Sequence, residues 1–149
     1  MRLLGIDYGR VRLGFALSDE GAVLATPLPH KLRSRSIDRD VRAIAQLAST
    51  HHVGRIVVGL PLHMDGAVGE MAEEATRFAE HVERGTHLPV DLIDERLTTA
   101  EAERVLLEAN MSRGKRRELR DSLSAVLILQ SYLDDRRASA RRAMDEPPT

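Results

Sequence analysis

Two short apolar runs joined by a polar turn open the chain, and they constrain the fold more than any other stretch. Residues 3–6 and 13–17 are apolar or glycine, and residues 7–10 contain the turn formers Asp7 and Gly9. This pattern predicts an antiparallel β-hairpin. Asp7 then lies at the end of a strand, where its carboxylate can face a metal or a phosphate. The alternative is that Asp7 hydrogen-bonds its own turn, as aspartate often does.

Strand and helix patterns alternate through the rest of the chain. Residues 22–25 predict a third strand, and Pro27 and Pro29 place the next residues at an edge or in a loop. Residues 55–59 are typical of a buried parallel strand, and residues 90–95 predict another short strand with acidic residues at its end. Helical patterns predict four helices. The first begins after Ser36 and ends at His51-His52, and the second spans Met71 to Gly85. The third begins at Thr98 and stops near Asn110, and the fourth runs from Glu118 to Arg137. The basic residues 112–117 predict a loop or a mobile segment.

An antiparallel hairpin that leads into βαβ units predicts an α/β fold with a mixed sheet, packed on its faces by helices. In such sheets the functional residues lie at the carboxyl ends of the parallel strands. The 149 residues suit one domain, which we assign to residues 1–137. Residues 138–149 have few apolar anchors and end with two prolines before the last residue, so we expect a disordered tail.

Composition excludes several classes of protein. The chain has no cysteine, so it has no disulfides and no thiolate metal site, which fits a cytoplasmic protein. No apolar run is long enough to cross a bilayer, and Asp7 and Arg10 interrupt any signal-peptide core. We therefore expect a cytoplasmic protein that has no membrane partner.

The net charge of −1 gives no indication of a nucleic-acid partner, but the distribution of charge does. Basic residues concentrate in residues 113–120 and 136–142, and such clusters can neutralise phosphates. For the second cluster we prefer a solvated helix face. Lys115 and Arg116 are better candidates for binding a nucleic-acid backbone, because they precede Asp121 closely.

Three acidic residues occur where predicted elements begin or end: Asp7 and Glu95 end the first and last strands, and Asp121 begins the final helix. We expect those strands to be neighbours, which would bring Asp7 and Glu95 to one edge of the sheet, with Asp121 pointing back to it. Close carboxylates repel each other, and a cation or a raised pKa relieves the repulsion. Oxygen ligands suit Mg²⁺ or Mn²⁺, and two such ions about 4 Å apart can activate water for phosphodiester cleavage.

Four motifs spaced along residues 3–133 carry a family resemblance. They are Gly5-Ile6-Asp7-Tyr8-Gly9 with Arg12 and Gly14, Val57-Val58-Gly59-Leu60-Pro61 with Met64-Asp65-Gly66, Asp94-Glu95-Arg96-Leu97-Thr98-Thr99, and Asp121-Ser122-Leu123-Ser124-Ala125-Val126-Leu127-Ile128-Leu129. In this order and spacing they resemble the YqgF (RuvX-like) family. Four linked motifs are much more specific than any one of them alone.

The resemblance implies a ribonuclease H-like fold and a divalent-metal nuclease of the pre-16S rRNA nuclease or Holliday-junction-resolvase type. By motif position, the family's acidic residues are Asp7, Glu95 and Asp121. The resemblance implies that Asp7 bridges two Mg²⁺ or Mn²⁺ ions and that Glu95 and Asp121 complete their coordination. The expected partners are precursor rRNA or DNA junctions, with a pre-ribosomal particle and a homodimer as further expectations.

The sequence departs from the family pattern in one loop, and other candidate residues have two interpretations. His63 stands where we expect asparagine, and residues 67–70 lack the usual hydroxyl and proline, which concerns substrate contact rather than the metal site. Asp65 is better explained as a turn residue than as a ligand. Asp94 caps the strand end or orients a ligand. Arg12 holds the turn or reaches a phosphate.

Two classes of function remain open. One is a metal-dependent nuclease, acting in 5′-end maturation of the 16S rRNA precursor or alternatively as a Holliday-junction-type DNA resolvase. The other is a non-catalytic nucleic-acid-binding factor in ribosome assembly. The three acids favour the nuclease, because binding alone does not need clustered carboxylates beside phosphates. A junction enzyme would act most naturally as a symmetric dimer.

Overall fold

The computed structural model describes residues 1–60, 69–94 and 113–145, with the backbone alone for residues 113–122. Its strands are β1 (Arg2–Tyr8), β2 (Arg12–Ser18), β3 (Ala25–Leu32), β4 (Val53–Leu60) and β5 (Val90–Asp94). Its helices are α1 (Ile37–Thr50), α2 (Glu70–Thr86) and α3 (Arg113–Asp145). The predicted helix after Thr98, the Asp65 turn and the His63 departure lie outside the described residues.

The strands form a mixed sheet in the order β3-β2-β1-β4-β5. β1 pairs antiparallel with β2, which pairs antiparallel with β3, and β1, β4 and β5 run parallel. The predicted hairpin and the predicted mixed sheet are both confirmed. The described helices have no segment with the length and apolarity that crossing a bilayer requires.

The expectation that the first and last strands are neighbours is wrong. β4 lies between β1 and β5, because Ile6 pairs with Val58 of β4, and Leu60 pairs with Asp94 of β5. β4 takes this central place because Ile56, Val57 and Val58 are fully buried and need cover on both faces. β1 and β5 are therefore two strand spacings apart, about 10 Å, although their carboxyl ends share one edge of the sheet.

The third strand begins where the sequence pattern placed its end. The Asp19 carboxylate accepts hydrogen bonds from the backbone amides of Val23 (2.8 Å) and Leu24 (3.0 Å), and Ala22 has a positive φ of 55°. These residues therefore form a turn, and the strand follows from Ala25. Both prolines lie in β3, which is an edge strand, as prolines in a sheet require.

Alternate residues of β1 pack against different helices. Leu4, Ile6 and Tyr8 belong to the cluster that α1 and α2 cover, whereas Leu3 belongs to the cluster that α3 covers. The predicted cap of α1 is confirmed, because the Ser36 hydroxyl accepts a hydrogen bond from the backbone amide of Arg39. That helix ends at Thr50 with His51 as its cap, as predicted.

The last helix is longer at both ends than the sequence pattern indicated. α3 begins at Arg113, so residues 113–117 are helical rather than a loop, and it continues to Asp145 rather than ending at Arg137. The expected disorder is therefore wrong for residues 138–145, while residues 146–149 lie outside the described part. Alanine and arginine dominate this segment, and both have high helix propensity. The assignment of one domain to residues 1–137 stays a prediction.

A buried carboxylate organises the connection between β3 and α1. Asp40 is only 3% exposed and accepts hydrogen bonds from the Lys31 ammonium (2.9 Å) and the Ser34 amide (3.0 Å). Burial alone would raise the pKa of Asp40 and is the largest single influence. The hydrogen bonds from Lys31 and Ser34 together outweigh it, so the pKa of Asp40 lies below its ordinary value of 3.8.

Asp40→Asn should lower the free energy of unfolding near neutral pH by about 1–3 kcal/mol, because charge-assisted hydrogen bonds to a buried group are lost. A lowered folded-state pKa means that the carboxylate stabilises the protein above pH 3.8 and that this contribution disappears as the pH falls through the lowered value. Urea unfolding of both proteins at several pH values tests this. The difference should shrink as the solution becomes more acidic, and a difference independent of pH would contradict the assignment.

Candidate functional site

Asp7 occupies the next-to-last position of β1 and is half-buried. It pairs with Gly14 of β2. Because side chains alternate along a strand, Asp7 shares the sheet face of Leu3 and Gly5, which is the face that α3 covers. The predicted strand-end position of Asp7 is thus confirmed, and its carboxylate belongs to the α3 side.

α3 crosses β1 in close contact at Gly5. A Cβ atom built on Gly5 would lie 2.8 Å from the Cβ of Leu129 and 3.2 Å from the backbone oxygen of Ala125. Only a residue without a side chain allows this approach. The helix and the strand are therefore held in one relative position at the point two residues before Asp7.

The direction of α3 relative to β1 follows from the contacts of Gln130. Its side chain accepts a hydrogen bond from the Ala25 amide (2.9 Å) and donates one to the Val23 oxygen (3.0 Å). Ala25 pairs with Ser18, and the Ser18 hydroxyl accepts a hydrogen bond from the Leu3 amide. Helix residues after the Gly5 contact therefore approach the start of β1, and helix residues before it approach the end of β1.

The backbone of Asp121 lies one helical turn before Ala125. Four helical residues rise about 6 Å, and two strand residues separate Gly5 from Asp7 by nearly the same length, about 6.6 Å. The α3 backbone at Asp121 is thus level with Asp7. The side chain of Asp121 is outside the described residues.

Asp121 does not begin the final helix, contrary to the sequence-based prediction. Because α3 begins at Arg113, Asp121 lies two full turns inside it. The helix dipole acts within the first turn and therefore does not favour a carboxylate here. What places this backbone near Asp7 is the crossing of α3 over Gly5.

β5 ends at the same edge of the sheet, one residue before the third predicted acid in the chain. The strand ends at Asp94, which pairs with Leu60, the last residue of β4. Ile93 packs in the α3-side cluster. Glu95 follows Asp94 directly in the chain but lies outside the described residues. No group of three potential metal-binding side chains occurs within the described part, where only Asp7 of the three predicted ligands has a described side chain.

Arg12 lies at the first position of β2, on the same face as Asp7. Ala16 packs in the α3-side cluster, and two-residue alternation gives Gly14 and Arg12 the same face. Gly14 pairs with Asp7, so Arg12 is the diagonal neighbour of Asp7, about 7–8 Å away across the two strands. The Arg12 backbone oxygen accepts a hydrogen bond from Gly9 within the turn (3.1 Å). The backbone serves the turn, and the exposed side chain lies on the face of Asp7.

Lys115 and Arg116 lie in the first turns of α3, where the structure describes the backbone alone. This end of the helix points towards the carboxyl edge of the sheet, as the direction of α3 establishes. Their proposed contact with nucleic acid stays a prediction.

A side-chain cluster that was not predicted from the sequence ties β5 to its neighbours. One oxygen of Asp91 accepts hydrogen bonds from the Tyr132 hydroxyl of α3 and from the Arg55 guanidinium of β4 (2.7 Å). Burial and then the bond to Asp91 raise the pKa of Tyr132, which remains a neutral donor. The sequence signal for this cluster was the position of Tyr132 in the helical pattern, between Leu129 and Leu133, which are both buried. The cluster fixes the strand that leads to Asp94.

Comparison with known proteins identifies the family. A family model described as "RuvX: Holliday junction resolvase" matches residues 1–135. The chain belongs to the RuvX family. A relative from Thermoanaerobacter pseudethanolicus, named "Putative pre-16S rRNA nuclease", is 45% identical over 138 residues, which cover 92% of this chain and 99% of the relative. A relative of the same name from Pelotomaculum thermopropionicum is 43% identical and covers 99% of this chain and 96% of its own.

Solved structures establish the fold of this RuvX-family chain. Thermus thermophilus RuvC aligns with a TM-score of 0.57 at 17% identity, covering 99% of this chain and 100% of RuvC. RuvC in complex with a Holliday junction substrate aligns with a TM-score of 0.55 at 16% identity, covering 89% of this chain and 94% of that chain. The predicted ribonuclease H-like fold is confirmed.

Proposed function

We propose that this RuvX-family protein is a divalent-metal-dependent nuclease that hydrolyses phosphodiester bonds in 5′-end maturation of the 16S rRNA precursor. The observation that carries the proposal is the position of Asp7 at the carboxyl end of β1, level with the Asp121 backbone on the crossing helix. This is the edge at which functional residues of a parallel sheet lie. The name of the curated relatives supports the nuclease class and the RNA substrate.

Asp7, Glu95 and Asp121 would hold the metal. The donor set fits a hard cation, because carboxylate oxygens are the ligands that Mg²⁺ and Mn²⁺ prefer. When bound, two such ions supply an activated water and stabilise the leaving oxygen. Asp7 is half-buried on the covered face of the sheet, where a carboxylate is favoured by a bound cation.

Arg12, Lys115 and Arg116 would hold the substrate. Arg12 is the diagonal neighbour of Asp7 on the same face, so its guanidinium can bind a phosphate oxygen near the metal ligands. Lys115 and Arg116 belong to the end of α3 that approaches the same edge. Such contacts bind phosphates without reading bases, which suits a precursor rRNA that is folded or held in a pre-ribosomal particle.

A DNA-junction resolvase is the second candidate, favoured by the description of the RuvX family as a Holliday junction resolvase. The metal chemistry would be the same, and the substrate alone would differ. Two symmetric cuts require two active sites, so this candidate predicts a homodimer in solution.

The deciding experiment offers the protein three substrates: precursor rRNA, linear duplexes and four-way DNA junctions. Each is incubated with Mg²⁺, with Mn²⁺ or with a chelator. Metal-dependent cutting of the precursor rRNA that the chelator abolishes is the expected result. Junction cutting alone would establish the second candidate. A folded protein that binds nucleic acid but cuts none of the substrates would refute the nuclease and support a non-catalytic assembly factor.

A further inference from the structure

Four arginines surround the tip of the β1–β2 hairpin. Arg10 and Arg12 lie on the hairpin itself, and Arg33 and Arg35 lie on the connection from β3 to α1. The connection packs beside the hairpin, because the Arg33 amide donates a hydrogen bond to the Val11 oxygen (2.9 Å). We call these four residues the arginine tip. It lies beyond the end of β1, at the same edge of the sheet as Asp7.

Arg33 anchors the tip through contacts that include no carboxylate among the described side chains. Its guanidinium donates hydrogen bonds to the backbone oxygens of Gly9 (3.1 Å) and Arg10 (3.3 Å) and lies 4.6 Å from the ring centroid of Tyr8. The Tyr8 ring is 7% exposed and packs on Phe78. The hairpin tip is thus held in place, and the partners of Arg33 in the part of the chain that the structure describes are carbonyl oxygens and an aromatic ring.

The connection that carries Arg35 is also fixed. The Ser34 amide donates a hydrogen bond to the carboxylate of the buried Asp40 (3.0 Å), and the Ser34 hydroxyl donates one to the backbone oxygen of Ser36 (2.7 Å). Lys31 is paired with Asp40, so its charge is compensated and does not contribute to the tip. Arg35 therefore projects from a backbone held on both sides, and such preorganisation lowers the entropy that binding costs.

Arg10 and Arg35 carry positive charges that no described carboxylate compensates. Both are exposed, and neither forms an ion pair with any residue whose side chain the structure describes, in ranges 1–60, 69–94 and 123–145. Like charges on a small surface repel each other, and a bound polyanion relieves that repulsion. Two large apolar side chains lie among the arginines, Val11 at 65% exposure and Leu32 at 62%. They offer contact to sugar rings, whereas the Tyr8 ring beside Arg33 is buried and cannot stack on bases.

We propose that the arginine tip binds the sugar-phosphate backbone of the nucleic acid on one side of the bond that is cut, without reading its sequence. The inference rests on the proposed function for the position of that bond. Arg12 contacts the phosphates nearest Asp7, and Arg10, Arg33 and Arg35 continue the contact around the hairpin. The hairpin and the β3–α1 connection thereby extend the substrate-binding surface beyond the metal ligands and the start of α3.

The test measures binding in chelator, where no cleavage occurs. Arg10→Gln with Arg35→Gln removes two exposed charges, and the probes are two RNA duplexes of unrelated sequence. Each lost phosphate contact lowers the slope of log affinity against log salt by about 1, so the double variant should lose about 2 from the slope. At low salt its affinity should fall roughly ten-fold, equally for both sequences. Thermal unfolding should be unchanged, because neither side chain has a partner in the described part of the chain.

Arg141→Gln with Arg142→Gln is the matched control, because it removes two exposed arginines near the far end of α3. It should retain the wild-type slope. Any one of four results would overturn the inference. These are an unchanged slope in the tip variant, an equal loss of slope in the control, a loss of affinity for one RNA sequence only, and no RNA binding by the wild type. Binding is measured without metal, so the two proposals can be tested separately. A loss of RNA affinity confined to the tip variant supports the inference even if the substrate experiment shows no cutting. If the wild type cuts but the tip variant binds RNA as the wild type does, the nuclease proposal stands and the inference does not.

Discussion

Asp7→Asn should abolish metal-dependent cleavage while the protein remains folded. Asparagine keeps the shape of the side chain but removes the negative charge that would bind the cations. Losing one charged ligand removes several kcal/mol of transition-state stabilisation, and about 4 kcal/mol corresponds to roughly a 10³-fold slower reaction. The measurement is the initial rate of precursor rRNA cutting at saturating Mg²⁺, with unfolding of the metal-free protein followed in parallel.

Metal binding gives a second readout for this variant that does not depend on turnover. Mg²⁺ or Mn²⁺ should raise the unfolding temperature of the wild type, because a ligand that binds the native state alone stabilises it, and should raise that of Asp7→Asn much less. Asp135→Asn is the matched control, since Asp135 is an exposed carboxylate on the distal half of α3. It should retain both activity and metal response. Full activity in Asp7→Asn would eliminate this carboxylate as a metal ligand.

Gly5→Ala should destabilise the protein and also reduce cleavage. The added methyl group would lie 2.8 Å from the Leu129 Cβ and 3.2 Å from the Ala125 oxygen. Both are parts of the α3 backbone or directly attached to it, so the helix itself must move away. Forcing a methyl group into such a contact costs about 1–3 kcal/mol. Displacing α3 by about 1 Å would also separate Asp121 from Asp7, and misplacement of that size can cost roughly 10²-fold in rate.

Gly54→Ala provides the matched control in the neighbouring strand β4. Its added methyl group would also be crowded, but by the Cγ (2.6 Å) and Sδ (2.8 Å) of Met1. The Met1 side chain is flexible and 52% of the residue is exposed, so it can move at little cost. Urea unfolding should therefore show a clear loss for Gly5→Ala and a small one for Gly54→Ala. Equal stability of Gly5→Ala and the wild type would contradict the close crossing of α3 and β1.

Local patterns predicted those parts of the fold that depend on nearby residues. Leu4 and Ile6 on one side of the Asp7-Gly9 turn, with Leu13 and Phe15 on the other, were sufficient for the hairpin, because the turn residues lie between two strand-forming runs. Ser36 marked the start of α1, because an N-cap needs only the amide three residues later. The third strand was misplaced, because the Asp19 side chain stabilises a turn that the apolar residues after it did not indicate.

The arrangement of the strands and the helix around the candidate site was not predicted from the sequence. The order of strands places β4 between β1 and β5. This order depends on which elements from distant parts of the chain cover the two faces of a buried strand, and no local sequence pattern contains that information. The start of α3 was placed too late, so Asp121 was assigned to a helix end that it does not occupy. Its backbone is level with Asp7 because Gly5 admits the helix.

The sequence by itself determined the α/β class, the hairpin, the strand-end position of Asp7 and the family to which the chain belongs. The tertiary structure alone decided that the helix crosses at Gly5 and that arginines 23 residues apart, Arg10 and Arg33, meet at one hairpin tip. The physical reason is the range of the interactions. Turns and caps are stabilised within a few residues, whereas strand order, helix crossing and surface charge depend on contacts between distant parts of the chain that form only when the core is packed.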